Sequence, residues 1–165
     1  MDQPKDAVPY ITRTRQLYSS QPPYRWVVND PVANPPPWTE FKGPLGRQRV
    51  ALIGSGGVHR ARQEPFHFRN DVSHREIPLD SESGQLRVAH FGYDISDAQR
   101  DPSCVLPFRA LRELARDGVV GSVVDPVISF MGGIYSARLV REELAPRLRD
   151  FVLRQKADLA YLVPA

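Results

Sequence analysis

The chain has 165 residues, 41% of them hydrophobic and 25% charged, with a formal net charge of +3 at pH 7. That length suits one domain, which at this size buries roughly 70% of its unfolded surface, and the composition excludes wholesale disorder and a membrane-embedded class. The positive charge comes from nineteen arginines and three lysines spread along the chain without a basic block, so nothing marks a nucleic-acid binder.

In chain order, residues 1–48 come first. Nine of the sixteen prolines fall at or before Pro44, and Tyr10, Tyr18, Tyr24, Trp26, Trp38 and Phe41 stand among them. A flexible linker carries few aromatics, so this stretch reads as a proline-rich extended arm whose rings supply contact area, on the body or on a partner. Residues 49–165 read as an α/β domain. Arg49 to Ile53 forms an apolar run suited to a strand buried on both faces, and it leads into the tight turn Gly54-Ser55-Gly56-Gly57. Residues 57–85 show no periodic pattern, and a structureless loop of that length is uncommon unless functional; it is expected to fold over the upper edge of the sheet.

Leu86 to Phe91 is the second strand candidate. Pro107 to Arg116 has proline in its first turn, Phe108, Leu111, Leu114 and Ala115 at helical spacing, and Gly118 beyond as a stop. Val119 to Val124 reads as the third strand, closed by Phe130 to Tyr135. A long amphipathic helix runs from about Ser136 to about Lys156, with Pro146 expected to kink or divide it. Leu159 to Val163 follows as a short buried strand. Strands alternating with helices predict a three-layer α/β sandwich with a mainly parallel sheet. The N-terminus has no apolar run behind it, and no segment reaches the roughly 18 apolar residues of a spanning helix.

Candidate chemistry collects at the expected carboxyl ends of strands. The turn at Gly56 and Gly57 lacks the spacing of a nucleotide-binding fingerprint and the lysine of a P-loop. It serves either as a turn needing positive φ or as the device that places His59 where an imidazole handles protons near neutral pH. The run from His90 to Asp101 concentrates an imidazole, a phenol and three carboxylates; Tyr93 and Asp94 are expected to face a cleft, and Asp97 and Asp101 either do so or cap a helix. Met131 and Gly132 bring backbone close to a ligand or to a neighbouring loop, and the helix N-terminus after them favours a substrate carboxylate. His67 and His74 lack metal-ligand spacing, and no metal is expected. The lone Cys104 reads as a packed small residue rather than a nucleophile.

The blocks carrying these features have a familiar order. Trp38 through Leu45, VALIGSGGVH at 50–59, QEPF at 63–66, HREIPLD at 74–80, HFGYDISDAQRD at 90–101, SFMGGI at 129–134 and DLAYLVP at 158–164 together resemble the selenoprotein B family of glycine, sarcosine, betaine and D-proline reductases. The resemblance runs over nearly the whole chain from about Tyr24. It implies an oxidoreductase that reductively splits a C–N bond of a small amino acid or an N-methylated amine, with a selenolate or thiolate as nucleophile and a thiol protein as reductant.

In such proteins a selenocysteine- or cysteine-x-x-Cys element follows the strand that corresponds to Leu159 to Pro164. Cys104 does not occupy that position. Three explanations stand: a selenocysteine codon just after Ala165 read as a stop, a split or truncated gene, or a module that kept a pocket without the chemistry. The resemblance implies catalytic roles for His59, His90, Tyr93 and Asp94 and substrate contacts at Gly56, Gly57, Met131 and Gly132. It implies no cofactor within these residues, with selenocysteine expected just after Ala165 in a full-length form. The single cysteine points to a reducing cytoplasm, the missing motif to a protein inactive alone, and the sheet edge left unpaired by missing strands to a homo-oligomer or a complex with other reductase subunits. The rival reading is a non-catalytic binding or scaffolding module.

Overall fold

The computed structural model describes residues 39–165, together with Val32, Pro35 and Pro37. The chain divides into the units Met1–Thr39 and Glu40–Ala165. Most of the arm, including Tyr10, Tyr18, Tyr24, Trp26 and Trp38, lies outside the described residues.

The second unit is built around strand β1, Arg49–Gly54. Along one flank β1 pairs in parallel with two short strands in succession: its first residues with β5, Ser122–Val123, and its last with β6, Val127–Phe130. Along the other flank it pairs in parallel with β7, Leu159–Val163, from Val50↔Leu159 to Gly54↔Val163. Strand β3, His74–Ile77, lies antiparallel beyond β6 and makes the sheet mixed. Arg49 pins the two parallel strand starts together. Its N–H donates to Asp158 Oδ2 at 2.8 Å, its carbonyl accepts from Asp158 N–H at 2.9 Å, and its Nε donates to the Gln155 carbonyl at 2.9 Å.

Side chains alternate across a strand, so β1 feeds two cores. Leu52 joins Leu106, Phe108 and Leu111 on one face, while Ala51 and Ile53 join Val124, Ile128 and Phe151 on the other. Helix α2, Phe108–Arg116, covers the first face, and helix α4, Ala145–Arg154, covers the second. The result is the α/β fold expected, with mostly parallel strands and helices on both faces. Each fully buried side chain of the size of Phe108 or Phe151 contributes roughly 1.5–3 kcal/mol.

Pro146 does divide the last helix. A short α-helical turn α3, Ala137–Leu139, passes through a π-helical turn, Val140–Leu144, into α4, with the proline in the first turn of α4. Proline donates no N–H and its ring collides with the carbonyl four residues back; the wider π turn sits where that relief is needed.

Four expectations are corrected. Leu86 to Phe91 is not a strand of the main sheet: only Leu86–Val88, β4, is extended, and it pairs antiparallel with β2, Val58–Arg60, in a separate two-stranded sheet. Its burial alternates residue by residue, the pattern of a strand with one wet face. The third strand is two pieces, β5 and β6, rather than Val119 to Val124. Residues 57–85 are not structureless and supply β2 and β3. The terminal strand forms as expected but is not buried, with Tyr161 43% and Leu162 65% exposed.

Candidate functional site

The carboxyl ends of β1 and β6 meet at a glycine turn. Gly57 has φ +72°, and a Cβ there would collide with the Ala89 carbonyl. Its N–H donates to the Phe130 carbonyl and its carbonyl accepts from Ala89 N–H, both at 2.9 Å. Gly56 bridges to Met131, and a Cβ on it would stand 2.6 Å from Val105 Cβ. Both glycines are buried, and they stitch three chain segments into one rigid rim. Gly132 is exposed, its N–H donates to the Ser55 carbonyl at 2.9 Å, and it packs closely on the Ser55 side chain.

Against this rim lies a cleft of about 230 Å³ lined by Phe66, Phe68, His90, Phe91, Ile95 and Met131, with His67 and Ala89 completing the wall. Met131 is buried, and its sulfur accepts from Gly133 N–H at 3.1 Å. Two guanidinium groups stand over the aromatic wall, Arg75 at 4.4 Å from the Phe66 ring centre and Arg69 at 5.5 Å from that of Phe68. No carboxylate lines the cleft. Its lining is mainly apolar, as in small-ligand clefts, and the Arg75 guanidinium against it also donates to the Glu64 and His74 carbonyls and to Ser73 Oγ.

His90 is the polar group of this wall whose hydrogen bonds fix its protonation. Gly92 N–H donates to its Nδ1 at 2.9 Å, so Nδ1 is the acceptor and the neutral ring carries its proton on Nε2. Burial pushes the imidazole below its ordinary value of 6.5 and keeps it neutral. Nε2 is buried and has no hydrogen-bond partner among the described residues. A buried donor without an acceptor carries a desolvation cost, and a ligand acceptor would relieve it.

Tyr93 packs on His90 with ring centres 4.6 Å apart, and its hydroxyl donates to the Gly56 carbonyl at 2.8 Å. Burial, and secondarily Cys104, push the phenol up to about 12. It stays protonated and ties the loop after β4 to the glycine turn. The sequence-predicted residues His90, Tyr93, Gly56 and Met131 therefore come together. His59 is buried behind them, edge-on to Phe66 at 6.3 Å, with Nδ1 3.0 Å from the Arg60 carbonyl. Asp94 is not brought in: its Oδ1 accepts from Ser96 N–H at 3.0 Å and from Ser96 Oγ at 2.6 Å, at the start of helix α1, Ser96–Arg100. Those bonds, the Oγ one first, hold its carboxyl below the usual range. Asp101 likewise accepts from Ser103 N–H.

The helix N-terminus after Gly133 is partly capped. Asn70, at φ +45°, accepts the N–H groups of Tyr135 and Ser136 on Oδ1 at 2.9 and 3.1 Å, and Ser136 Oγ accepts from Leu139 N–H at 3.3 Å. These bonds occupy the Tyr135, Ser136 and Leu139 donors at the helix start where a substrate carboxylate is expected. Asn70, Phe68 and Ile95 escaped the sequence reading; the aromatic pair Phe66 and Phe68, set in a long polar stretch, was the available signal. Cys104 is exposed, and burial, then the carboxylates of Asp101 and Asp97, push its thiol up, away from nucleophilic character. Among the described residues no group of three or more His, Cys, Asp or Glu is placed to hold a metal ion.

Comparison with known proteins bears on this geometry. The profile of glycine/sarcosine/betaine reductase selenoprotein B matches residues 43–151. The chain is 32% identical over 132 residues to the D-proline reductase subunit gamma of Acetoanaerobium sticklandii, covering 80% of this chain and 54% of that protein. It is 30% identical over 116 residues to the glycine reductase complex component B subunit gamma of Symbiobacterium thermophilum, covering 65% of this chain and 27% of that one. It is 28% identical over 94 residues to the sarcosine reductase complex component B subunit beta of Peptoclostridium acidaminophilum, covering 53% and 21%. The chain thus spans about half the length of the first of these relatives and less of the others. No solved structure matches.

Proposed function

We infer function from family: this chain belongs to the glycine/sarcosine/betaine reductase selenoprotein B family and serves as a component of a reductase complex. Within that component, residues 49–165 hold the substrate, a small amino acid or N-methylated amine, in the cleft between Phe68, His90 and Met131. The reaction is reductive cleavage of the substrate C–N bond. A selenolate or thiolate, supplied from outside these 165 residues, is the nucleophile in this reading, and a thiol protein restores it. Thiol chemistry of this kind belongs in a reducing cytoplasm.

The residues of this chain have narrower tasks. The apolar wall displaces water from the ligand, and the guanidinium groups of Arg69 and Arg75 favour its carboxylate. His90 donates from Nε2 to a ligand oxygen as a neutral imidazole, so its role is orientation and polarisation. Tyr93, held protonated, acts through the Gly56 carbonyl as a positioning residue. The observation that carries the reading is the unpartnered Nε2–H of His90 beside an apolar cleft at the strand ends.

NMR titration of the 165-residue protein with glycine, sarcosine, betaine and D-proline tests it. Saturable shifts around Phe66, His90 and Met131 with one of these, lost in Phe68→Ala, support the reading. Titrations without saturation for all four refute it. The protein alone, given a dithiol, is expected to show no turnover.

A second reading, a scaffolding module that assembles with a redox partner or a second copy, is favoured by strand β7, which has no strand beyond it among the described residues and exposes Tyr161 and Leu162. Light scattering that gives a monomer at high micromolar concentration counts against self-assembly.

A further inference from the structure

A second cleft, of about 260 Å³, lies on the two-stranded sheet and is lined by Arg60, Ala61, Arg62 and Gln85. We propose that it is an oxyanion site that takes a phosphoryl group. It shares no lining residue with the His90 cleft.

The backbone under the cleft is fixed by its own hydrogen bonds. Gln63 N–H donates to the Arg60 carbonyl at 2.9 Å, Arg60 N–H donates to Gln63 Oε1 at 2.8 Å, and Gln63 Nε2 donates to the Glu76 carbonyl at 3.1 Å. Ala61 N–H donates to the Gln85 carbonyl at 2.8 Å and clips the turn to the start of β4. The acceptors Gln63 Oε1 and the Arg60 and Gln85 carbonyls are therefore used. The donors are not: the guanidinium groups of Arg60 and Arg62 make no hydrogen bond, ion pair or ring contact among the described residues. Gln85 Oε1 accepts from Glu82 N–H at 3.2 Å, and its Nε2 has no hydrogen-bond partner among the described residues.

Neighbouring arginines show what an engaged side chain looks like in the same region. Arg87 donates to the carbonyls of Gly84 and Leu86, and Arg100 pairs with Asp97 at 3.2 Å. No carboxylate lines the cleft, and Glu82, next to it, is turned onto its own capping box. Two planar forks and an amide donor with no acceptor among them match a tetrahedral oxyanion, whose several oxygens accept from guanidinium groups in pairs. A single carboxylate would leave most of these donors unused. The shared chemistry is a phosphoryl group, free or carried on an organic ligand.

Titration of the full chain with inorganic phosphate and, separately, glycerol 3-phosphate, at ionic strength held constant with sodium chloride, tests the site. Saturable amide shifts centred on residues 60–63 and 85, weakened roughly tenfold for each arginine removed in Arg60→Ala and Arg62→Ala, are expected. Tighter binding of glycerol 3-phosphate identifies an organic phosphate as the source, and equal or weaker binding identifies free phosphate. Arg149→Ala, on an exposed helix position, is expected to bind as the parent does. Absence of saturation, loss to the same extent in Arg149→Ala, or binding unchanged in the Arg60→Ala/Arg62→Ala protein overturns the proposal. Circular dichroism of the variants separates lost binding from lost fold. Amino-acid titration of the His90 cleft is unaffected by either outcome.

Discussion

Strands β6 and β7 flank the same strand, run parallel to it and are both largely apolar, yet their burial differs sharply. Val127, Ile128 and Ser129 of β6 are at most 0% exposed, whereas Tyr161 and Leu162 of β7 are 43% and 65% exposed. Strand β6 has β3 on its far side, and Phe151 reaches over its Ile128. Strand β7 has no strand beyond it among the described residues. Pairing with a central strand is therefore not sufficient for burial, which requires a neighbour on the other side and a covering layer on each face. The same contrast shows in the surface. The β6 side carries the His90 cleft at its carboxyl end, and the β7 side presents an open edge.

The largest test of this contrast is a pair of truncations. Ile128→Ala is expected to cost about 3 kcal/mol of unfolding free energy, through lost transfer energy and a cavity that closes only partly. Leu162→Ala is expected to cost no more than about 0.5 kcal/mol in the isolated chain. Urea unfolding measures both, and equal costs would show that the two strands are buried alike.

Next in size is Gly57→Ala on the β6 side. A methyl group at φ +72° facing the Ala89 carbonyl forces the glycine turn to move, with an expected loss of about 2 kcal/mol and broadened signals for His90. Gly118→Ala also meets positive φ, at +74°, but has nothing within 4 Å of the added Cβ, so it is expected to cost about 1 kcal/mol. The difference in thermal midpoint between the two variants isolates the close approach at the site.

Tyr93→Phe removes the hydroxyl bonded to Gly56. A loss of about 1 kcal/mol is expected, with ligand affinity at the His90 cleft falling more than global stability would explain. If affinity follows stability alone, Tyr93 is merely structural.

The smallest expected effect is a pH dependence. Folded His90 has its pKa lowered by burial, so the unfolded chain takes up a proton more readily than the folded one. Its contribution to stability is full above about 6.5, declines as the pH falls below that value, and levels off once the pH is below the folded pKa. His74 is lowered by burial as well and adds to the same window. His90→Gln should flatten part of the decline. An unchanged slope would show that the ring is not desolvated.

Much of the body was legible because local pattern and global role agree. The apolar run of β1, the helical spacing of Phe108 and Leu111 after Pro107, and the glycine turn after β1 each follow from residues within a few positions of one another. The imidazole–phenol pair His90 and Tyr93 was visible in the same way, standing close together just after a strand candidate. Strands β2 and β3 were hidden, because four or fewer extended residues with mixed burial give no periodic signal. Asp94 looked catalytic by position alone, and only its bonds to Ser96 show how its acceptor is spent.

The sequence by itself determined an α/β domain, its principal strand, its main helices and the family to which it belongs, since these are written in short-range pattern and in the order of motifs. Tertiary structure alone decided that Leu86–Val88 leaves the main sheet and that Asn70 accepts the Tyr135 and Ser136 donors ahead of the last helix. It alone also left β7 without an outer neighbour and His90 Nε2 without a partner among the described residues. Each of these depends on which distant groups meet, and hydrogen bonds between residues tens of positions apart leave no trace in the spacing of either partner.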